Sequence, residues 1–131
     1  MRIGGVGDLP GPRYMLRGTE IPTVSGVKDL GVYVTNNLSF KLHISEICSK
    51  ALRLCGYILK AFVSRNRKFI VKIFISRIRP ILEYNCEVWS PLQLTLIDRL
   101  ESVQRPFTKI IFGFEYLSYS ERLERCSLEL L

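Results

Sequence analysis

The sequence predicts an α+β fold, in which a short N-terminal β-hairpin or small antiparallel sheet leads into a mostly α-helical bundle of about four helices. Three observations predict it. Between Tyr14 and Val34 the chain reads as short β-rich runs broken by turn residues, whereas from Lys41 onward apolar residues recur in steps of three and four. Two Ser-x-x-Gln/Glu signatures, at Ser90 and Ser118, mark helix starts. A length of 131 residues, 47% of them apolar, suits one domain with a real core.

Residues 1–13 (MRIGGVGDLPGPR) are rich in Gly and Pro without periodicity and read as an irregular lead-in. Residues 14–37 form the β region. Tyr14–Leu16 and Ile21–Val24 pair as a hairpin turned at Gly18, and Val27–Val34 reads as one strand, stopped by Asn36 and Asn37.

The helical region spans 38–131. A first helix covers about Lys41 to Phe62, with Ile44, Ile47, Cys48, Ala51, Cys55, Ile58 and Phe62 as its buried stripe. A second covers about Arg67 to Tyr84, with Phe69, Ile70, Ile73, Phe74, Ile78, Ile81 and Leu82 inward and a kink expected at Pro80. Tyr84 and Trp89 are expected to pack at its junction with the third helix. Ser90 caps that third helix, Pro91 takes its first turn, and Leu96, Leu100, Val103, Phe107 and Ile110 form its seam. Pro106 should bend or split it, and Gly113 should stop it. A fourth helix starts at the Ser118–Glu121 capping box, carries a Tyr119, Leu123, Cys126, Leu130 seam, and is expected to run to the last residue. Its apolar ending points to truncation or to docking elsewhere.

The charge is unevenly placed. Net charge is +7, yet residues 41–79 contain ten Lys/Arg and a single Glu, while 80–131 are mildly acidic. Such a basic segment favours an anionic partner, nucleic acid before membrane. The most apolar window, Phe69–Tyr84, is interrupted by Lys72, Arg77, Arg79 and Pro80, which excludes a simple transmembrane helix. The opening residues do not read as a secretory leader, and none is expected. The cysteines at 48, 55, 86 and 126 have no paired spacing, and His43 has no CxxC beside it, so buried reduced thiols in an intracellular protein are expected rather than disulfides or zinc. Nucleus and cytoplasm are not distinguished. The early glycines are not followed by Gly-Lys-Ser/Thr and form no phosphate loop.

No catalytic constellation is visible. The acids are scattered, without a close aspartate pair able to hold magnesium. Asp29 reads as a turn residue or a partner of Lys28, and Glu83 and Glu87 as a solvated face. The candidate binding residues are basic: Lys50, Arg53 and Lys60, with Tyr57 among them, on the first helix, and Arg65, Lys68, Lys72 and Arg79, beside Arg67, on the second. Cations at helical spacing neutralise phosphates and position a nucleic acid without reading its bases.

Three blocks in order give a family resemblance. They are Val27-Lys28-Asp29-Leu30-Gly31-Val32 with Leu38-Ser39-Phe40-Lys41-Leu42-His43-Ile44; Ile78-Arg79-Pro80-Ile81-Leu82-Glu83-Tyr84 with Val88-Trp89-Ser90-Pro91; and Leu100-Glu101-Ser102-Val103-Gln104-Arg105 with Phe107-Thr108-Lys109, followed by Tyr119-Ser120-Glu121-Arg122-Leu123. Across residues 14–131 the chain resembles the C-terminal part of the reverse transcriptase of jockey-like non-long-terminal-repeat retrotransposons. The resemblance implies that residues 14–37 are like the end of the polymerase palm, and that 38–131 are like the thumb that holds the template–primer. It also implies that the catalytic aspartates, and with them magnesium, belong to a palm upstream, so this chain alone should not polymerise. It departs at Pro106, where the family has a second basic residue, which removes one phosphate contact. Expected partners are a template–primer backbone and that palm, with no membrane and no small-molecule ligand. The alternatives are a nucleic-acid-binding or interaction module of retroelement origin without chemistry, or a non-functional fragment.

Overall fold

Two β-hairpins open the described part of the chain. The computed structural model describes residues 13–62, 66–90, 94–112 and 116–131, and the chain divides into two compact units, Met1–His43 and Ile44–Leu131. In the first unit β1 (Met15–Leu16) pairs antiparallel with β2 (Thr19–Glu20), and β3 (Gly26–Asp29) with β4 (Val32–Thr35). The α+β class is as the sequence predicts.

The run 27–34 is two strands rather than one. Leu30 (φ 45°) and Gly31 (φ 88°) both take left-handed backbone, which is the demand of a two-residue hairpin turn whose twist matches its strands. Arg17 (φ 49°) and Gly18 (φ 79°) repeat the device between β1 and β2. The register pairs Lys28 with Tyr33, and the Lys28 ammonium lies 4.9 Å from the Tyr33 ring centre. Residues 13–31 are exposed throughout, whereas Val32 is buried. Past β4, Thr35 and Asn37 side chains receive the Ser39 N–H at 3.0 and 3.2 Å and tighten the lead into the first helix.

Helix α1 runs Lys41–Ala61 and buries the predicted stripe of Ile44, Ile47, Cys48, Ala51, Cys55 and Ile58; Phe62, just beyond it, is partly exposed and meets Phe69 edge-on at 5.1 Å. Asn66 caps α2 (Arg67–Ile73). A π-helical turn, Phe74–Ile78, then joins α2 to α3 (Arg79–Glu83). That turn is the response to Pro80. Proline has no N–H for the Ser76 carbonyl and crowds it, and the chain absorbs this by adding a residue to the turn, so that the Arg79 N–H bonds the Phe74 carbonyl five residues back. Asn85, left-handed at φ 56°, separates α3 from the single turn α4 (Cys86–Trp89).

Trp89 is 2% exposed and donates its indole N–H to the Tyr84 carbonyl at 2.8 Å. Tyr84 itself is 56% exposed, against the expectation that it packs at the joint as Trp89 does. The Ser90 box and the Gly113 stop rest on residues 91–93 and 113–115, outside the described residues.

Helix α5 (Leu94–Phe112) passes through Pro106 unsplit and packs against α2 and α6. The Phe107 ring stacks on Phe74 at 4.5 Å, and the Cys48 thiol donates to the Arg99 carbonyl at 3.5 Å. Its seam broadens beyond prediction: Ile111 is buried in place of Ile110, and Glu101, Gln104 and Thr108 are buried with it.

Ser118 caps α6 (Tyr119–Cys126) in a complete capping box. This helix stops short of the chain end. Ser127 turns left-handed (φ 52°), and the Leu128 N–H reaches back to the Leu123 carbonyl at 2.9 Å, which lets Leu128 be buried while Leu130 stays exposed. Cys86 is the exposed thiol, against the expectation that all four are buried. No helix among the described residues is long and apolar enough to cross a membrane.

Candidate nucleic-acid interface

The basic residues of α1 lie on the side away from its core stripe. Lys50, Arg53 and Lys60 are all exposed, at three- and four-residue steps that also take in Tyr57, 69% exposed. They form one open row. Lys68 and Lys72 are likewise exposed on α2, one turn apart. Arg79 differs: its guanidinium is held by Glu83 one turn on, Nε to Oε1 at 2.7 Å, which cancels part of its charge. Arg65 lies outside the described residues.

The structure then adds a grouping absent from the sequence pattern. Lys68 and Lys72 line an open groove of about 540 Å³ together with Arg67 and Val71, and its other wall is Arg125, Cys126 and Ser127 at the end of α6. Among the described residues that line it, four are cationic and none is acidic. A cleft of one sign with apolar patches in its wall concentrates the field and draws anions. Arg125 escaped sequence reasoning because it belongs to the mildly acidic half, and only the fold carries it to α2.

The α6 wall is fixed from behind. Both carboxylate oxygens of buried Glu101 are used, one accepting from the Tyr119 hydroxyl and the other from the Leu131 N–H at 2.7 Å. Gln104 donates to the Glu129 carbonyl at 2.9 Å and to the Tyr119 hydroxyl at 3.2 Å. Burial first, then the Glu101 hydrogen bond, pushes the Tyr119 phenol up to about 12, so it remains a donor. Arg105 and Arg122 set their guanidinium carbons 5.3 and 5.6 Å from the same ring centre. The start of α6 and the tail after it are thereby tied to α5, on either side of Arg125 and Ser127.

Comparison with known proteins gives this surface a context. The chain is 23% identical over 119 residues to a probable RNA-directed DNA polymerase from transposon X-element of Drosophila melanogaster, a match covering 88% of this chain and 13% of that protein. It is 29% identical over 100 residues, 74% of its length, to an uncharacterized protein of Caenorhabditis elegans, of which the match covers 50%. The chain thus spans half or less of each of these relatives. The similarity supports a loose relation to retrotransposon reverse transcriptases. No family model matches, and no solved structure does.

Proposed function

We propose that this chain is a piece derived from a jockey-like non-long-terminal-repeat retrotransposon reverse transcriptase, corresponding to its thumb-like, template–primer-holding part. Its biochemical act is to bind nucleic-acid backbone without sequence preference and without chemistry of its own. The observation that carries the binding is the convergence of Arg67, Lys68, Lys72 and Arg125 on one groove, with the Lys50, Arg53 and Lys60 row as additional phosphate contacts. The retroelement origin rests on the resemblance of the three sequence blocks and on the similarity to the transposon polymerase along most of the chain. The magnesium-holding carboxylates of the family belong to the upstream palm, and so does polymerisation.

Salt dependence of binding is the test. Each phosphate neutralised on a duplex contributes about −0.9 to the slope of log K against log salt, so about four contacts give a slope near −3.6. Replacing Arg53, Lys60 and Lys72 together with Gln should flatten that slope by up to about 2.7, equally for unrelated sequences. An unchanged slope in the triple variant, or no binding by the parent at low salt, overturns the reading. Primer extension by the isolated chain with magnesium and nucleotides should match a buffer control.

A further inference from the structure

Tyr57 stands in the middle of the α1 cation row with its ring uncovered. It follows Arg53 by one turn, precedes Lys60 by another, and is 69% exposed. Elsewhere in the protein, cations near a tyrosine close over its ring. Lys28 lies 4.9 Å from the Tyr33 ring centre, and Arg105 and Arg122 lie 5.3 and 5.6 Å from that of Tyr119. Among the described residues, neither a cation nor a second ring covers Tyr57, although two cations stand within a turn of it. Gly56 opens the other side of the same strip. It neighbours Arg53 and Lys60 at three and four residues, it is exposed, and a Cβ there would meet nothing within 4 Å. Glycine inside a helix is destabilising relative to alanine, and packing gives no reason for this one. From Arg53 to Lys60 the strip thus offers a cation, bare backbone beside an open ring, and a second cation over roughly 10 Å. The one carboxylate of the 41–79 segment, Glu46, lies roughly 16 Å from Tyr57 along the helix.

We infer that this strip holds an unpaired nucleic-acid strand, stacking one base on Tyr57 between phosphates held by Arg53 and Lys60. This rests on the backbone reading above and narrows the ligand of the α1 row to single strands. A duplex spends the faces of its bases on its own stack, so a ring on a helix surface meets only its backbone and groove edges. An unpaired strand can turn a base out onto the ring. Every base has a π-face, so the selection is for unpaired strands and not for sequence. A tyrosine ring is set by two torsions and costs little to order on binding. The cations hold the strand, and the ring selects it.

The test sets three ligands of equal length against the full chain at fixed low salt: a single dA strand, a wholly abasic strand and a duplex. The abasic strand keeps the phosphates and removes the bases, so it isolates stacking from charge. The parent should bind the dA strand about fivefold or more tighter than the abasic one, the lower end of what one base stacked on an aromatic contributes. Tyr57→Ala should bring those two strands within about twofold of each other and weaken the duplex far less than the dA strand. Tyr57→Phe keeps the ring and should keep the difference. Tyr116→Ala removes an exposed tyrosine outside the row and should also keep it. Because Tyr57 is exposed, its variants should melt with the parent, which circular dichroism checks. Equal parental affinity for the dA and abasic strands overturns this inference while leaving backbone binding intact. So does a difference that survives Tyr57→Ala or is lost in Tyr57→Phe, and so does an equal weakening of duplex and dA strand by Tyr57→Ala. Absence of binding to all three ligands overturns the backbone reading instead.

Discussion

Replacing Trp89 with Ala removes the largest side chain of the joint between α3 and α5. The indole is 2% exposed, and its N–H bonds the Tyr84 carbonyl at 2.8 Å, tying α4 to the end of α3. Truncating a buried aromatic to Ala costs about 3–5 kcal/mol, of which the hydrogen bond accounts for about 1. A unit of this size loses about 4–8 °C per kcal/mol, so the midpoint should fall by about 12 °C or more. Trp89→Phe keeps most of the packing and loses the bond, and should cost about 1–2 kcal/mol. Tyr84→Ala leaves the carbonyl acceptor in place and removes a ring that is 56% exposed, so it should stay within about 1 kcal/mol. Urea unfolding followed by circular dichroism reads all three variants without needing the tryptophan signal. The reasoning is refuted if Trp89→Ala unfolds within 1 kcal/mol of the parent, as a ring held for base stacking would, or if Tyr84→Ala costs as much as Trp89→Ala.

Leu30 is 80% exposed and left-handed, a backbone region that costs a branched L-residue about 1–2 kcal/mol; Leu30→Asn should therefore stabilise the β3–β4 hairpin by up to about 1 kcal/mol in thermal melts, and a loss of stability there would count against the turn. Burial first, and Lys28 second, hold the His43 imidazole below its usual 6.5. The folded form then binds fewer protons than the unfolded one, so stability is complete above about 6.5 and falls as pH drops below it. An imidazole NMR titration should show its midpoint below 6.5, and a midpoint above that value would contradict the burial. Iodoacetamide under native conditions should label the exposed Cys86 quickly. Cys48, Cys55 and Cys126 should resist, because burial raises each of their thiols, Cys55 to about 12; Cys86→Ser should remove the fast phase.

The helices were legible because their burial is periodic. Ile44 through Ile58 on α1, Ile70, Phe74, Ile78 and Leu82 along the second helical stretch, and Leu100, Val103 and Phe107 on α5 each occupy one face, and each is buried. Errors fall where a local conformation beats the pattern. Leu30 continues the alternation of Val32 and Val34, so Val27–Val34 reads as one strand, but the register needs a turn and Leu30 supplies it with Gly31. Leu130 continues the α6 seam, but the left-handed Ser127 ends the helix and hands burial to Leu128. Pro80 announced a perturbation without its form, because kink, break and π turn all relieve the same missing N–H and the same carbonyl clash.

Polar residues at helical spacing were the harder case, and they govern the site. Glu101, Gln104 and Thr108 look like a solvated face of α5 from sequence alone, since nothing local says which side a later segment will cover. The segment 119–131 covers that side, and its bonds to Glu101 and Gln104 are long-range contacts that periodicity cannot register. A buried carboxylate is costly unless its oxygens are satisfied, and here a phenol and a backbone N–H satisfy both. The same bonds explain why the candidate groove was half legible. The basic segment 41–79 announced Lys68 and Lys72, but a row of cations on one helix is only a convex strip. What turns the strip into a groove is Arg125, from a half of the chain whose net charge is negative, and it stands opposite α2 because α6 is anchored behind it on α5. Composition located one wall; the second depended on tertiary structure.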